Sequence, residues 1–387
     1  MSLTQDREHF ETVIVGGGQA GLAVGYHLTR QGRSCVILDA NERIGDSWRK
    51  RWPSLRLYSP ARLDALPGLR FPAPAYSYPS GLEMADYLEA YADEFALPVR
   101  SGVAVDGLER NGDGYVVTAG KRRIDADNVV VATGVFQHGR PVIPSFAAEL
   151  DPEIRQLHSA EYRSPAQLQE GPVLVVGAAH SGGDIAFEVA GAGHRTLLSG
   201  RDTGQIPFDL ESRKARFVFP VLRIVATKVL TLSTPVGRKA SAKMRGHGGP
   251  LLRVKRADLD GVGVERVLDR TVGVEDGKPV LADGRVVDVA NVVWCTGFRN
   301  DYGWIRFPLP LDPDGYPEQE RGAVPSAPGL YFVGLPFLHS FASMLILGAG
   351  RDGKKVAKHI SAHRSNGRRR ESGERRARAS AGEEVAA

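Results

Sequence analysis

Cysteine is nearly absent: the 387 residues hold two, Cys35 and Cys295, far apart in sequence. That scarcity excludes a C-x-x-C dithiol relay, a disulfide framework and a thiolate metal cluster, and it fits a reducing, cytoplasmic setting. An export signal is also missing, because Met1–Phe10 is polar and charged where an apolar segment would be required. Nor is there an uninterrupted run of membrane length. The longest apolar stretch, Phe217–Val236, contains Pro220, Arg223 and Lys228, and charges at a bilayer centre are costly. Integral insertion is therefore not expected; an amphipathic helix pair or lid over a pocket, plain core packing and contact with a membrane surface all stay open for this stretch. The ten histidines show no metal-ligand spacing, and no Ser/His/Asp triad can be argued from the order of residues.

Acidic residues run short at the C-terminal end. Seven arginines between Arg364 and Arg378 face only Glu371 and Glu374, so much of the formal charge of +5 lies there. A disordered basic tail over 364–387 is expected, with no nucleic-acid partner assigned to it. Glycine, by contrast, is plentiful at 45 residues. With 42% hydrophobic and 25% charged residues, the composition describes a globular α/β chain long enough for two domains.

Two stretches share one grammar. Thr12–Val15 is a β-branched run that ends in glycines, Leu22–Arg30 is an apolar-periodic helix, and Ser34–Leu38 reads as the next strand. The order returns as Val173–Val176, a glycine-rich turn, the helix Asp184–Ala192 and the strand Arg195–Ser199. Between them lie a proline-rich loop (Pro53–Pro79), a helix at Gly81–Phe95 and a β-meander ending in Asn128–Ala132. The strands Asn128–Ala132 and Asn291–Cys295 each run into a Thr-Gly pair, Thr133-Gly134 and Thr296-Gly297, where the chain is expected to cross between domains. The expected fold is α/β with two Rossmann-type dinucleotide-binding domains, the first discontinuous over 1–140 and 300–363 and the second inserted at 141–299.

Each turn has a reason for its glycines. In Gly16-Gly17-Gly18-Gln19-Ala20-Gly21 the first allows the tight turn, Gly18 lets a diphosphate approach the backbone, and Gly21 lets helix and strand pack closely. The helix start then offers free N–H groups and a partial positive charge to the phosphates. Asp39 ends the next strand, where a carboxylate can accept from both ribose hydroxyls. The second turn, Gly177-Ala178-Ala179-His180-Ser181-Gly182, has a methyl at its middle position, and Ser199-Gly200-Arg201 stands where an acid would be. A guanidinium suits a 2′-phosphate and a carboxylate repels it, which favours NADPH over NADH.

These residues resemble the flavin-containing monooxygenase superfamily, nearest to the bacterial CzcO-like flavoproteins and then to the plant YUCCA-type monooxygenases. The likeness runs over roughly 10–360 and includes Gly45-Asp46-Ser47-Trp48, Tyr78-Pro79 before Tyr87, Leu88 and Tyr91, Gly329–Gly334, and Gly350-Arg351-Asp352. It implies that Gly16, Gly18, Gly21, Asp39, Ser47 and Trp48 hold FAD, and that Gly177, Ser181, Gly182 and Arg201 hold NADPH. The wider implied set adds Gln19, Ala20, Ala40, Val105, Ala132, Thr133 and Gly134, then Ala179 and His180, and finally Thr296, Gly297, Phe298, Gly334, Gly350 and Asp352. Around Gly350–Lys354 a helix N-terminus would point at the flavin.

The superfamily fingerprint F-x-G-x-x-x-H-x-x-x-[YW] is matched by His158, Ser159 and Tyr162, while Pro152 and Ile154 replace its Phe and Gly. Tyr58 stands where heteroatom-oxygenating members have asparagine, which argues against simple amine N-oxidation. The implied activity is NADPH-dependent oxygenation of a small organic substrate by O2 through a flavin hydroperoxide. Trp48, Tyr58 and His339 are the candidate catalytic or water-excluding residues, and His158 reads as a hinge hydrogen-bonder. Two alternatives stay open: a flavoprotein reductase or oxidase that oxygenates nothing, and a redox accessory to ion transport. Oligomeric state is open as well, a homo-oligomer included.

Overall fold

The computed structural model describes residues 8–134, 139–244 and 248–362; the expected tail over 364–387 lies outside the described residues. In chain order the first part contains β1 (Glu8–Val15), α1 (Gln19–Arg30), β2 (Cys35–Leu38), α2 (Asp46–Arg49), α3 (Gly81–Glu94), β3 (Val99–Arg100), β4 (Gly107–Asn111), β5 (Gly114–Ala119) and β6 (Arg122–Val131). There follow β7 (Arg140–Pro141), β8 (Arg155–His158), β9 (Val173–Val176), α4 (His180–Gly191), β10 (Thr196–Ser199), α5 (Ala215–Ile224), α6 (Pro235–Met244) and α7 (Arg256–Gly261). The chain ends with β11 (Glu265–Val267), β12 (Thr271–Glu275), β13 (Lys278–Leu281), β14 (Asn291–Trp294), β15 (Phe298–Arg299), β16 (Leu330–Phe332) and a helix α8 over 346–362.

The first sheet has the order β3-β2-β1-β6-β5-β4, with β1 parallel to both β2 and β6. Strand β6 is long enough to hold antiparallel β5 along Arg122–Ala126 and, further on, parallel β16 along Val129–Val131. The last strand thus returns to the first sheet after the chain has built a second one. That second sheet, β11-β10-β9-β14-β8, is parallel throughout. The inner strands of both sheets are covered on two faces, so Val13–Val15 and Val173–Val176 read as continuous apolar runs without alternation.

Along β1 the pleat still sorts the side chains. Ile14 joins a core with Leu22 of α1, Met84 and Tyr91 of α3 and Val356 and Ile360 of α8, while Val13 and Val15 join one with Leu108 and Val117 of the meander. Helix α3 is capped by Ser80, whose Oγ accepts from the Glu83 N–H at 3.1 Å while Glu83 accepts from the Ser80 N–H at 2.7 Å. Both dinucleotide-type helices begin one turn earlier than the apolar pattern predicts, α1 at Gln19 and α4 at His180, because their first two residues, Gln19-Ala20 and His180-Ser181, are only half-buried and add little to the apolar pattern. The stretch Phe217–Val236 forms α5, a π-helical continuation over Val225–Val229 and the start of α6, with Pro220 inside α5.

Candidate functional site

The turn after β1 is set by close packing. Gly16 has φ +111°, and a Cβ on it would lie 2.5 Å from the Ala132 carbonyl oxygen, at the end of β6. A Cβ on Gly21 would lie 1.9 Å from the Gly16 oxygen. Gly18 differs, since a Cβ there would meet nothing within 4 Å. Its missing side chain serves no contact inside the protein and leaves the start of α1 open. No side chain caps α1, so its leading N–H groups face that opening. This arrangement fits a bound diphosphate. Asp39 is buried and braces the turn: Oδ2 accepts from the Gly17 N–H at 2.6 Å, and Oδ1 accepts from the Asn41 N–H at 2.7 Å and Nδ2 at 2.8 Å.

The turn after β9 repeats this backbone. Gly177 has φ +111°, and a Cβ on it would lie 2.4 Å from the Cys295 carbonyl oxygen, while a Cβ on Gly182 would lie 1.8 Å from the Gly177 oxygen. Ala179 occupies the position of Gly18, and again no side chain caps the helix, α4. Beyond β10, Arg201 is exposed and makes no ion pair among the described residues, so its guanidinium is available to an anion. The fit to a second dinucleotide rests on that cation and the uncapped helix.

The starts of both helices open on one cavity of about 300 Å³. Gly16, Gly18, Gln19, Ala20, Ala132, Thr133, Gly134 and Gly334 line it from the first sheet, His180 and Ser181 from the second, and Ser47, Trp48 and Tyr58 from the loop region between. Sequence reasoning missed Arg51, Trp52, Leu55, Arg56, Leu57, Ser59, Val333, Met344, Leu345 and Ile346, which line it too. The spacing of Trp48, Arg51, Trp52 and Leu55 was the available signal, a repeat of three and four residues that continues past the short α2.

Tyr58 ties the loop wall to the second helix. Its hydroxyl donates to Asp184 Oδ2 at 2.6 Å, and its ring meets His180 edge-on with centroids 5.4 Å apart. Burial raises the Tyr58 pKa, and the Asp184 charge adds to it. Burial also pushes Asp184 up to about 6, against the hydrogen bond from Tyr58 and the Arg253 charge. Arg51 falls to about 10 because it is desolvated at the cavity wall. Behind the wall Asp64 is fully buried; its Oδ1 accepts from Ser59 Oγ at 2.5 Å, and burial pushes its carboxyl up to about 7.

Other expected residues stand elsewhere. His339 does not line the cavity; burial lowers it to about 4 beside Asp352, Lys355, Arg351 and Arg321, leaving a neutral ring at neutral pH. Val105 is buried in the core under the meander, and Ala40 is exposed at the end of β2. His158 is a structural hydrogen-bonder: Nε2 bonds to the Gly297 carbonyl at 3.1 Å, Nδ1 accepts from the Ala160 N–H at 3.1 Å, and the ring packs edge-on against Phe298. Thr296 donates to the Val142 carbonyl. The expectation of a helix start at Gly350–Lys354 is corrected: α8 begins at 346, where Met344, Leu345 and Ile346 reach the cavity. Gly350 lies inside α8, where a Cβ would meet Pro67 Cγ at 2.5 Å, and Asp352 is buried with Oδ1 accepting from Arg351 Nε at 3.2 Å.

Comparison with known proteins agrees with this geometry. The family model described as pyridine nucleotide-disulphide oxidoreductase matches residues 13–216. A CzcO-like oxidoreductase of Geobacillus kaustophilus is 35% identical over 91% of this chain and 99% of its own length. A probable indole-3-pyruvate monooxygenase of the YUCCA type from Arabidopsis thaliana is 26% identical over 90% of this chain and 86% of its own. Among solved structures, a flavin-containing monooxygenase from Stenotrophomonas maltophilia superposes with a TM-score of 0.74 at 26% identity, covering 92% of this chain and 99% of that one.

Proposed function

The chain belongs to the pyridine nucleotide-disulphide oxidoreductase family, among the CzcO-like oxidoreductases, and on that premise we propose that it is an NADPH-dependent FAD monooxygenase acting on a small apolar substrate. One observation carries this reading: a single cavity is lined by the starts of both dinucleotide-type helices and walled by Trp48, Trp52, Leu55, Tyr58, Met344 and Leu345. When bound, FAD supplies the redox chemistry, taking reducing equivalents from NADPH and passing them to O2.

This chain's own residues supply order and dryness. Gly16, Gly18 and the N-terminus of α1 hold the FAD diphosphate, with Asp39 fixing the turn and meeting the ribose. Gly177, Ser181 and α4 hold the second diphosphate, and Arg201 takes the 2′-phosphate. Tyr58, anchored on Asp184, and Trp48 keep water from the space between the two nucleotides. A dithiol relay has no residues to run on: Cys35 and Cys295 do not line the cavity, and burial raises both thiols, Cys295 to about 12. No acid–base step is assigned to His339, which lies off the cavity wall.

The test is to reduce the purified flavoprotein with NADPH without air, admit oxygen, and count hydrogen peroxide released per NADPH while apolar heteroatom and carbonyl compounds are screened. Slow reoxidation with little peroxide, and an oxygenated product for some compound, supports the reading. Immediate reoxidation with one peroxide per NADPH for every compound replaces it with a reductase or oxidase. Failure of NADPH to bleach the flavin removes the second nucleotide altogether.

A further inference from the structure

The outward side of α5 is apolar where water would be met by polar groups. Ala215 and Phe219 are buried, whereas Phe217, Val221 and Ile224 form a stripe at helical spacing that is 81%, 59% and 55% exposed. Val236, at the start of α6, adds a fourth such side chain at 59%. From Arg213 to Lys243 the chain carries eight lysines and arginines and no acidic residue, and all eight are exposed.

We propose that this helical segment docks peripherally on an anionic lipid bilayer. Phe217, Val221 and Ile224 enter the boundary between headgroups and acyl chains, and the flanking cations meet lipid phosphates. Neither signal suffices alone; together they match what stable surface binding needs. No helix among the described residues is long and apolar enough to cross a membrane, so the contact is superficial. A second copy of the chain is the poorer occupant. A twofold pairing sets a patch against itself, and here that brings eight cations towards eight with no acid to answer them.

The segment also adjoins the cavity. The Phe341 N–H donates to Leu230 O at 2.9 Å and the Leu232 N–H to His339 O at 3.2 Å, and this segment runs straight into Met344–Ile346 on the cavity wall. Docking therefore brings the apolar edge of the cavity to the lipid, a route for apolar substrates; that consequence alone rests on the proposed function.

The experiment is co-sedimentation of the flavin-loaded protein with vesicles of phosphatidylcholine, or of equal parts phosphatidylcholine and phosphatidylglycerol, at low and high salt. Binding is expected only to the anionic vesicles, weakening with salt and by about fivefold for each of Arg216, Arg223 and Lys228 replaced by Gln. The triple change F217S/V221S/I224S, confined to exposed positions, is expected to abolish binding while flavin content and NADPH oxidation in solution stay as in the parent. A Phe217→Trp variant gives an independent readout, its emission shifting to the blue on adding anionic vesicles. The proposal is overturned if the parent ignores anionic vesicles at low salt, or if the triple change binds them equally. It is also overturned if sedimentation shows a parent dimer that the triple change dissolves, with no vesicle binding by either.

Discussion

At Gly16 and at Gly177 the backbone takes the same φ of +111°, and at both a Cβ would collide with the carbonyl that ends a neighbouring strand, Ala132 or Cys295. The two turns thus pose one steric problem with one solution. What surrounds them differs. The first has open space at Gly18 and a buried acid, Asp39; the second has a methyl at Ala179 and an exposed cation, Arg201. Helix positions seven and eleven residues past the first glycine diverge too. Ala23 and His27 pack towards α8, with Ala23 and Val24 backbone 3.0 Å from a Cβ on Gly353 and His27 Nε2 bonded to Gly350 O at 3.0 Å. Asp184 and Glu188 instead accept from Tyr58 and Tyr162. Shared backbone with divergent surroundings suits one nucleotide that stays and one that comes and goes.

The largest expected effects come from breaking each turn separately. Gly16→Ala forces a positive φ on alanine, about 1–3 kcal/mol before the overlap at Ala132 is counted, and is expected to yield protein without flavin colour. Gly177→Ala carries the same strain but is expected to keep the flavin and lose its bleaching by NADPH. Absorbance spectra before and after NADPH check both, and loss of colour in the second variant alone would reverse the comparison.

Next is the pH response of the second helix. The Asp184 carboxyl has an ordinary value of 3.8 and rises to about 6 in the fold, so the folded chain holds that proton more tightly than the unfolded one. Its contribution to stability is full below about pH 4, falls by up to about 1.4 kcal/mol per pH unit towards 6, and is level above. Urea unfolding across that window is expected to show a shallower fall in Asp184→Asn, with the part owed to Asp64 continuing to about 7. Parallel profiles for parent and variant would mean that Asp184 ionises as if exposed.

Smaller changes separate the ribose ends. Arg201→Ala is expected to weaken NADPH binding about ten- to a hundredfold and leave NADH binding unchanged, read by titration of tryptophan fluorescence. Equal losses for both nucleotides would remove the 2′-phosphate contact.

The legible parts of this molecule are those with local causes. The turns Gly16–Gly21 and Gly177–Gly182 announce themselves because a strand, a positive φ and a close approach leave glycine the only choice at fixed spacing. The apolar pattern places the helix starts late, at Leu22 and Asp184, because periodicity registers core contact and the first turns of α1 and α4 face the cavity instead. Ten of the 23 residues of the cavity wall escape a linear reading for a related reason. Arg51 comes from one segment and Val333 and Met344 from another nearly three hundred residues on, and only the return of β16 to β6 brings the latter two to the first turn. The places of His339, off the cavity wall, and of Gly350, packed on Pro67 inside α8, depend on the tertiary fold and carry no local signal.

The smallest expected effect is the sharpest on the comparison, because it exchanges one methyl between the two turns. A Cβ added at Gly18 meets no protein atom within 4 Å, so Gly18→Ala costs the fold little more than a weaker helix cap, about 1 kcal/mol or less. Any further loss must come from the ligand. Freed of flavin, the variant is expected to lose no more than about 1 kcal/mol of stability, yet to bind FAD severalfold more weakly, about fivefold if the methyl displaces the diphosphate slightly. Ala179→Gly is the reciprocal change. It removes a methyl that lies 2.6 Å from where a Cβ on Gly248 would be, and it is expected to tighten NADPH by a similar factor without altering the flavin. Thermal unfolding of the flavin-free protein and titration with each nucleotide separate the two contributions. If Gly18→Ala bound FAD like the parent, the open space at Gly18 would not be where the diphosphate lies.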